Sequence, residues 1–369
     1  MATVLILDGW SRAAVECVQS LGRRGLEVHA AGSPDCPAFW SRRVAQRLMQ
    51  PPAADSDRFL AWLRELDHTH GYALIAPTTE ASLLALADLP VDDPVRAKAV
   101  LPSPSSLESC LDKARTLALA ESLDIAAPET AVIRDERQIP LARDFPHVLK
   151  PARSVVRRSG TLEQLKPVLV RDAETRGPEL ARLLAGAAVL EQELVPGTGY
   201  GIEVLYRQGE LVWSFAHERL HEGSGTGLGS GSVYRRSVEP EREILDEAVR
   251  MLDALRWHGP AMVEFRRAED GRHWLMEVNP RLWGSLALAV DVGVDFPFGL
   301  YRLATGRPVP PQPAYRRGYH TRVMFEDLDW LRRQAGARPA FRTLRDLLYL
   351  FRPLVFRESW DHFDWGDLG

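Results

Sequence analysis

The sequence predicts an α/β domain at the N-terminus, then an α+β domain, then a helical C-terminal extension. At the start, apolar segments at residues 3–7 and 26–31 flank an amphipathic segment at 11–23. This strand–helix–strand succession is typical of a parallel sheet. Further along, Gln208-Gly209 and Asp270-Gly271 each separate two strand-like segments and predict antiparallel hairpins. The amphipathic segment at 344–356 predicts packing on the main body or on a partner subunit, and a membrane-surface helix is the less favoured alternative.

The composition is that of an ordinary soluble protein. The chain has 369 residues, of which 45% are hydrophobic and 26% charged, enough for two or three domains. A net charge of −4 gives no indication of a nucleic-acid surface. The three cysteines, Cys17, Cys36 and Cys110, are far apart, which excludes a zinc ribbon and fits a reducing cytosol. Without a basic leader or an 18-residue apolar run, we expect a cytoplasmic protein with no membrane span.

In the first domain, a helix is expected at 59–66, a strand at 73–76 and a helix at 81–89. Thr79 and Glu80 lie at the corner between that strand and that helix, where α/β folds place ligand contacts. Both are candidates to contact a substrate, although either could instead cap the helix. The first strand is followed by Asp8-Gly9-Trp10, which is not a dinucleotide-binding fingerprint, and no P-loop sequence occurs. Any nucleotide must therefore be held by other means.

The second domain begins near the serine-rich segment at 103–106. Ser105 and Glu108 predict a capping box for a helix that runs to about residue 123 and carries Lys113. Strands are expected at 130–133, 145–150 and 189–193, and a hairpin is expected at 201–218. Residues 240–256 predict a long amphipathic helix.

A hairpin at 262–279 sets two carboxylates opposite each other. If its loop has two or four residues, Glu264 pairs with Glu277, and Met262 pairs with Asn279. Glu264, Glu277 and Asn279 then share one face, and the opposite face is expected to be a core of Val263, Phe265, Trp274, Met276 and Val278. Facing carboxylates repel each other, so removing one should slightly stabilise the protein without metal. A divalent cation such as Mg²⁺ would also relieve the repulsion. The alternative is an ordinary hairpin with a solvated acidic face.

The order of the motifs resembles that of the ATP-grasp superfamily over about residues 1–306. The motifs are Asp112-Lys113, Val148-Leu149-Lys150-Pro151, the segment at 190–197, Met262-Val263-Glu264-Phe265, and Met276-Glu277-Val278-Asn279-Pro280-Arg281. The closest-looking group is the single-module predicted ATP-dependent carboligases, related to the carbamoyl-phosphate synthase large chain and to D-aspartate ligase. The resemblance implies a Rossmann-like pre-ATP-grasp domain at 1–104 and an ATP-grasp domain at 105–306 with a small lid-like subdomain at about 125–193. The C-terminal extension would occupy 307–369.

The resemblance also implies roles for individual residues. Lys113 and Lys150 would bind phosphate, and Arg281 would hold a phosphorylated intermediate, which makes Lys150 and Arg281 the expected catalytic residues. ATP and Mg²⁺, for which Mn²⁺ can substitute, are the implied cofactors. The adenine would meet the hinge formed by Glu193, Leu194 and Val195, and Glu203 is a weak substitute for the family's acidic ribose contact. Glu264, Glu277 and Asn279 match the metal ligands.

The Gly- and Ser-rich segment at 217–232 predicts a mobile lid, with a flexible linker as the alternative. Arg219 and Arg235 could hold the carboxylate of an acceptor substrate, or they could be solvated. Ser285 follows Trp283-Gly284 as in the carboligase-like group. His217 and His221 are four residues apart, but the neighbouring glycines disfavour the helix that a zinc site would need.

The implied function is an ADP-forming carboxylate–amine ligase that acts through an acylphosphate on a small-molecule carboxylate and amine. A homodimer is one assembly that the C-terminal segment could serve. Three alternatives stay open: an ATP-dependent carboxylase or carbamoyl-type enzyme using bicarbonate, a kinase that releases the phosphorylated acid, and a non-catalytic nucleotide-binding protein.

Overall fold

A computed structural model describes residues 2–135, 144–158, 161–223, 231–335, 358–361 and 366–367. The helices are α1 (Arg12–Arg23), α2 (Ser56–His70), α3 (Glu80–Ala87), α4 (Pro94–Ala97), α5 (Pro104–Leu111), α6 (Lys113–Ser122), α7 (Ala173–Leu184), α8 (Arg242–Ala254), α9 (Leu286–Asp291), α10 (Phe296–Ala304) and α11 (Met324–Ala335), with a 3₁₀ turn at Pro37–Trp40. The strands are β1 (Thr3–Ile6), β2 (Glu27–Gly32), β3 (Val44–Met49), β4 (Leu74–Ala76), β5 (Thr130–Ile133), β6 (His147–Pro151), β7 (Val155–Arg158), β8 (Thr161–Gln164), β9 (Val168–Val170), β10 (Val189–Glu193), β11 (Thr198–Arg207), β12 (Glu210–Glu222), β13 (Ser232–Val238), β14 (Gly259–Arg267), β15 (His273–Asn279), β16 (His320–Arg322) and β17 (Glu358–Trp360).

The first sheet is parallel, in the order β3-β2-β1-β4. Alternate residues of β1 enter two separate buried clusters, because Val4 and Ile6 pack in one and Leu5 packs in the other. Both faces of the sheet are therefore covered, as expected for parallel strands joined by helices. The strand–helix–strand start predicted from the sequence is confirmed.

The helix at the start of the second domain differs from the prediction. Ser103, not Ser105, caps it, and its side chain accepts from the Ser106 N–H at 3.1 Å. Pro104 in the first helical position fits this earlier start. The helix also ends at Leu111, and Asp112 caps a second helix that begins at Lys113. This break places Lys113 beside the end of β6, where its backbone N–H donates to Ala152 O at 2.9 Å.

Three further sheets follow in the described part of the chain, of four, seven and two strands, and the last of these is the β7–β8 hairpin. Their strands pair antiparallel except for β16 and β17, which are parallel. The small sheet has the order β5-β10-β6-β9 and packs Leu149 and Val189 against α7. The large sheet has the order β15-β14-β11-β12-β13-β16-β17, and its β11–β12 turn has positive φ at Gln208 and Gly209. The predicted hairpin at 201–218 is thus confirmed.

One face of the large sheet is apolar, and the other carries charged residues beside a buried apolar patch that includes Leu205, Phe215 and Met262. Ile202 and Val263 on the apolar face are buried against Ile244 and Met251 of α8, which confirms the amphipathic helix. Because neighbouring residues of a strand point to opposite faces, Gly201 and Glu264 lie on the other face.

The carboxylate hairpin keeps its predicted pairing through two compensating deviations. Glu264 pairs with Glu277 and Met262 pairs with Asn279, as predicted. However, Arg267 pairs with His273, so residues 268–272 form a five-residue loop and not the expected loop of two or four. A register shift between Glu264 and Phe265 restores the pairing. The predicted core was therefore wrong on β15, the strand that carries the extra residue. Leu275 is buried, whereas Trp274 and Met276 are only partly buried.

The C-terminal segment is not only helical. Beyond residue 306, β16 and β17 join the edge of the large sheet, and α11 lies between them in the chain. The predicted amphipathic segment at 344–356 lies outside the described residues. No helix in the described ranges has the length and apolar character needed to cross a membrane.

Candidate active site

Two carboxylates and one amide converge on the charged face of the large sheet. Glu264 and Glu277 are directly opposed on β14 and β15. The Asn279 side-chain amide donates to Glu264 Oε1 at 2.9 Å and to Glu277 Oε1 at 3.4 Å. The residues predicted as metal ligands therefore form one cluster of hard oxygen donors, with the amide within reach of both carboxylates.

Two lysines face this cluster from the adjoining elements. Lys113 Nζ lies 3.5 Å from Glu277 Oε2 and donates to Ser154 Oγ at 2.7 Å. Lys150, near the end of β6, donates to Gln192 Oε1 at 2.6 Å. Burial lowers the pKa of Lys150 to about 8, against the opposing charge of Glu277. Burial also acts to raise the pKa of Glu277, but Lys113 and Lys150 outweigh it and hold that pKa below its usual value.

Arg219 neutralises the other carboxylate. Its Nη2 lies 2.6 Å from Glu264 Oε2, although burial still raises the pKa of Glu264. Two glycines make room for this arrangement. A Cβ at Gly199 would lie 2.6 Å from Arg219 Cδ, and one at Gly201 would lie 2.4 Å from His217 Cε1. The side chains of β12 can therefore lie across β11 towards Glu264.

The N-terminal domain contributes Glu80 to the same cleft. Burial raises the pKa of Glu80, while the charges of Lys113 and Arg281 and a hydrogen bond from the Val155 N–H lower it. Arg281 donates from Nη1 to Leu282 O at 2.9 Å. Of the two roles left open at this corner, Thr79 takes the cap, because its side chain accepts from the N–H of residue 82. Glu80 is the member of the pair that reaches the cleft.

The hinge residues lie where β10 ends. The Glu193 carboxylate accepts from the Glu129 N–H at 3.0 Å, and the Glu193 N–H donates to Glu129 O at 3.0 Å. These two hydrogen bonds hold the end of β10, and the Glu193 carboxylate is bonded within the protein. Leu194 is 39% exposed, whereas Val195 is buried.

Three other residues that were predicted to contact ribose or substrate make their contacts inside the protein. Glu203 is fully buried and accepts from Ser285 Oγ at 2.9 Å, and burial raises the pKa of Glu203 well above its usual value. Arg235 is also fully buried and pairs with Asp361. These positions do not favour a ribose role for Glu203, or substrate roles for Ser285 and Arg235.

Sequence reasoning missed the side chains that support the lysines. Gln192 links Lys150 to Thr130 Oγ1, to which it donates at 2.8 Å, and Ser154 holds Lys113. Alternation along the strand at 189–193 could have placed Gln192 beside Lys150, but no pattern marks Ser154. The predicted loop at 217–232 was wrong at its ends, because residues 217–222 belong to β12 and Ser232 begins β13. Residues 224–230 lie outside the described residues, and next to them the Gly223 N–H donates to Gly231 O at 3.0 Å.

Comparison with known proteins gives one family match. Residues 187–325 match a family model described as ATP-grasp in the biosynthetic pathway with Ter operon. No curated protein sequence matches the chain.

Solved structures resemble most of the chain. An L-amino acid ligase from Bacillus licheniformis has a TM-score of 0.60 and 18% identity, over 82% of this chain and 74% of the ligase. N5-carboxyaminoimidazole synthetase from Staphylococcus aureus has a TM-score of 0.67 and 16% identity, over 92% of this chain and 86% of the synthetase. Biotin carboxylase from Campylobacter jejuni, in its β-γ-ATP complex, has a TM-score of 0.66 and 12% identity, over 86% of this chain and 74% of the carboxylase. These comparisons agree with the family resemblance of the sequence motifs: residues 187–325 match an ATP-grasp family model, and most of the chain shares the fold of these enzymes.

Proposed function

We propose that the protein is an ATP-dependent, ADP-forming ligase that joins a small-molecule carboxylate to an amine. The observation that carries this proposal is the charged cluster around Glu264 and Glu277. Lys113 lies 3.5 Å from Glu277, and the charges of Lys150 and Arg219 also act on that carboxylate. Such a cluster suits a triphosphate and a phosphoryl transfer, which depends on positioning and electrostatic stabilisation.

The donor set fits Mg²⁺. No three His, Cys, Asp or Glu side chains in the described part of the chain are arranged to hold a metal ion. Glu264, Glu277 and the Asn279 amide oxygen would therefore act together with nucleotide phosphates and water, as is usual for this cation. When bound, Mg²⁺ would bridge and neutralise the phosphate oxygens.

In the first step, a carboxylate oxygen of the acid attacks the γ-phosphorus, and ADP leaves with the electrons of the broken P–O bond. Lys113 and Lys150 would hold the triphosphate as flexible point charges. Arg281 would hold the transferred phosphoryl group with two parallel N–H donors. The Glu193 carbonyl and the Val195 N–H would bind the adenine, since the next residue, Pro196, has no N–H to donate.

In the second step, the amine nitrogen attacks the carbonyl carbon of the acylphosphate, and phosphate leaves as the amide forms. Glu80 would accept the proton that the amine loses, because it lies in the same cleft as Lys113 and Arg281 and burial raises its pKa. The predicted lid, now limited to the segment between β12 and β13, would exclude water from the acylphosphate, which would otherwise hydrolyse.

Hydroxylamine tests this proposal whatever the natural amine is, because it converts an acylphosphate to a stable hydroxamate. The protein would be incubated with ATP, Mg²⁺, hydroxylamine and a panel of carboxylic acids that includes the standard amino acids and bicarbonate. We expect equal amounts of ADP and hydroxamate with the correct acid. Glu277→Gln should form neither product, whereas Glu210→Gln, altered at a side chain that is 76% exposed, should form both.

The alternatives give different results in the same assay. ADP that depends only on bicarbonate would favour a carboxylase or carbamoyl-type enzyme. In a parallel arm without hydroxylamine or amine, release of a stable phosphorylated acid would favour a kinase. Nucleotide binding without ADP in every arm would favour a non-catalytic protein and contradict the proposal.

A further inference from the structure

Arg12 brings a guanidinium from the N-terminal domain to the end of the proposed lid. Its Nη1 donates to Ser232 O at 3.3 Å, and Arg235 Nη1 donates to the same oxygen at 3.0 Å. Ser232 directly follows the Gly- and Ser-rich residues. Two arginines from different domains therefore meet at one carbonyl beside the lid.

Two glycines define how the Arg12 guanidinium lies. A Cβ at Gly231 would be 3.1 Å from Nη2, and a Cβ at Gly284 would be 3.5 Å from both Nε and Nη2 and 3.6 Å from Cζ. These nearly equal distances place the face of the guanidinium against Gly284, three residues beyond Arg281. Because the N–H groups lie in the guanidinium plane, its edge is what can meet a ligand.

The two arginines at this position differ in how their charges are compensated. Arg235 is buried with its partner Asp361, and neither side chain has exposed surface. Arg12 has Glu326 at 3.8 Å, but the Glu326 side chain is 52% exposed and such pairs contribute little. Burial and the charge of Arg235 lower the pKa of Arg12, whereas the charges of Glu326 and Asp361 act to raise it. The Arg12 side chain is 27% exposed, so a ligand can reach it.

We propose that Arg12 binds a substrate carboxylate that the reaction does not consume. The edge of a guanidinium offers two parallel donors to a carboxylate, which suits a fixed anionic group better than a neutral one. One substrate would then be an amino acid, or another molecule with a carboxylate beside its reacting group. This inference rests on the proposed ligase function and deepens it, because it names the class of substrate.

Matched substrate pairs test the inference through ADP release. Acceptors would be compared with and without their carboxylate, as L-alanine with ethylamine and glycine with methylamine. On the acid side, succinate would be compared with butyrate. We expect the wild type to prefer the member with the additional carboxylate. Arg12→Gln should raise the KM for that member about tenfold to a hundredfold, as expected for loss of a hydrogen bond to a charged group.

The other member of each pair should be unaffected, so the preference disappears in Arg12→Gln. Arg12→Lys should restore part of it, because the charge remains without the paired donors. Arg24→Gln is the control, since Arg24 lies just beyond the other end of α1 and pairs with Asp295. It should keep the preference.

Two results would overturn the inference alone. If Arg12→Gln still turns over and still prefers the substrates with the additional carboxylate, Arg12 does not bind that carboxylate. An equal loss for both members of each pair would make Arg12 a structural residue. Absence of ADP with every pair in the wild type would contradict the ligase function itself, and this inference with it.

Discussion

Replacement of Glu277 by glutamine should weaken both the fold and the binding of magnesium nucleotide. From the sequence alone, removal of one of two facing carboxylates should relieve repulsion and stabilise the protein slightly. The structure reverses that expectation, because Lys113 lies 3.5 Å from Glu277 and the charge of Lys150 also acts on it. Glutamine would leave both lysines without this counter-charge.

The size of the loss follows from the partial burial of the pair. The Lys113 and Glu277 side chains are 14% and 32% exposed. Exposed ion pairs contribute up to about 1 kcal/mol, and breaking a buried pair costs roughly 3–5 kcal/mol. A partly buried pair lies between these limits, and relief of the Glu264–Glu277 repulsion offsets a few tenths of a kcal/mol. We therefore expect the free energy of unfolding to fall by about 1–2 kcal/mol.

Urea denaturation would measure this loss, with and without Mg²⁺ and a non-hydrolysable ATP analogue. At a ligand concentration of about 100 times Kd, the wild type should gain roughly 2.7 kcal/mol from the magnesium nucleotide. Glu277→Gln should gain little, and Glu210→Gln should behave as the wild type. If Glu277→Gln is as stable as the wild type without ligand, the lysine pairing is not what stabilises this region. If it gains the full stabilisation from the magnesium nucleotide, Glu277 is not a metal ligand.

The remaining predictions concern Lys150, Gly201 and Glu16. Lys150→Met should weaken binding of the ATP analogue about tenfold to a hundredfold and leave adenosine binding nearly unchanged, because the lysine would meet phosphate and not base; equal losses in calorimetric titrations would mean that it acts through structure. Gly201→Ala should lower the free energy of unfolding by about 1–3 kcal/mol, since its Cβ would lie 2.4 Å from His217 Cε1. Gly177→Ala, in α7 with nothing within 4 Å of its Cβ, should stabilise the protein by about 0.4–1 kcal/mol, and equal denaturation midpoints for the two variants would contradict this reasoning. Glu16 is buried near Asp291, Asp361 and Arg23, and burial raises its pKa from 4.5 to about 8. Since the folded protein binds that proton more tightly than the unfolded chain does, the free energy of unfolding should fall by up to about 1.4 kcal/mol per pH unit as the pH rises from 4.5 to 8. This slope should be smaller in Glu16→Gln. An unchanged slope would show that Glu16 is not its source.

Pairing and periodicity made much of the fold predictable. The apolar spacing in 240–256 is enough to define α8, because burial of one face fixes the helix against the sheet. The Glu264–Glu277 pairing was correct although the predicted loop length was wrong. A five-residue loop shifts the pairing by one residue relative to a four-residue loop. The register shift between Glu264 and Phe265 shifts it back, so Glu264 still pairs with Glu277. The bulge itself carries no sequence signal. The sequence therefore did not predict that Leu275, and not Met276, would be buried.

The contacts around the carboxylates were less predictable, because they depend on side chains that approach from distant parts of the chain. The break at Asp112 decides where Lys113 lies, and a continuous helix was the simpler prediction from periodicity. Arg219 reaches Glu264 only because Gly199 has no side chain. Long-range placements of this kind follow from tertiary packing, whereas local patterns report only strand faces and helix ends.

These contacts change the argument for a metal ion. Facing carboxylates suggest a cation when they are considered alone, but here Lys113 and Arg219 already contact Glu277 and Glu264. With Glu80, Glu222, Lys150, Arg266 and Arg281 included, the described residues of the cleft provide four carboxylates and five cationic side chains. A free divalent cation would add charge to a cluster that is already slightly positive, so it gains little by binding alone. A triphosphate brings the negative charge that the cluster lacks and supplies further oxygen ligands to the metal. The geometry therefore favours joint binding of Mg²⁺ and nucleotide, in which Glu264, Glu277 and Asn279 would hold the metal and Lys113 and Lys150 would pair with the phosphates.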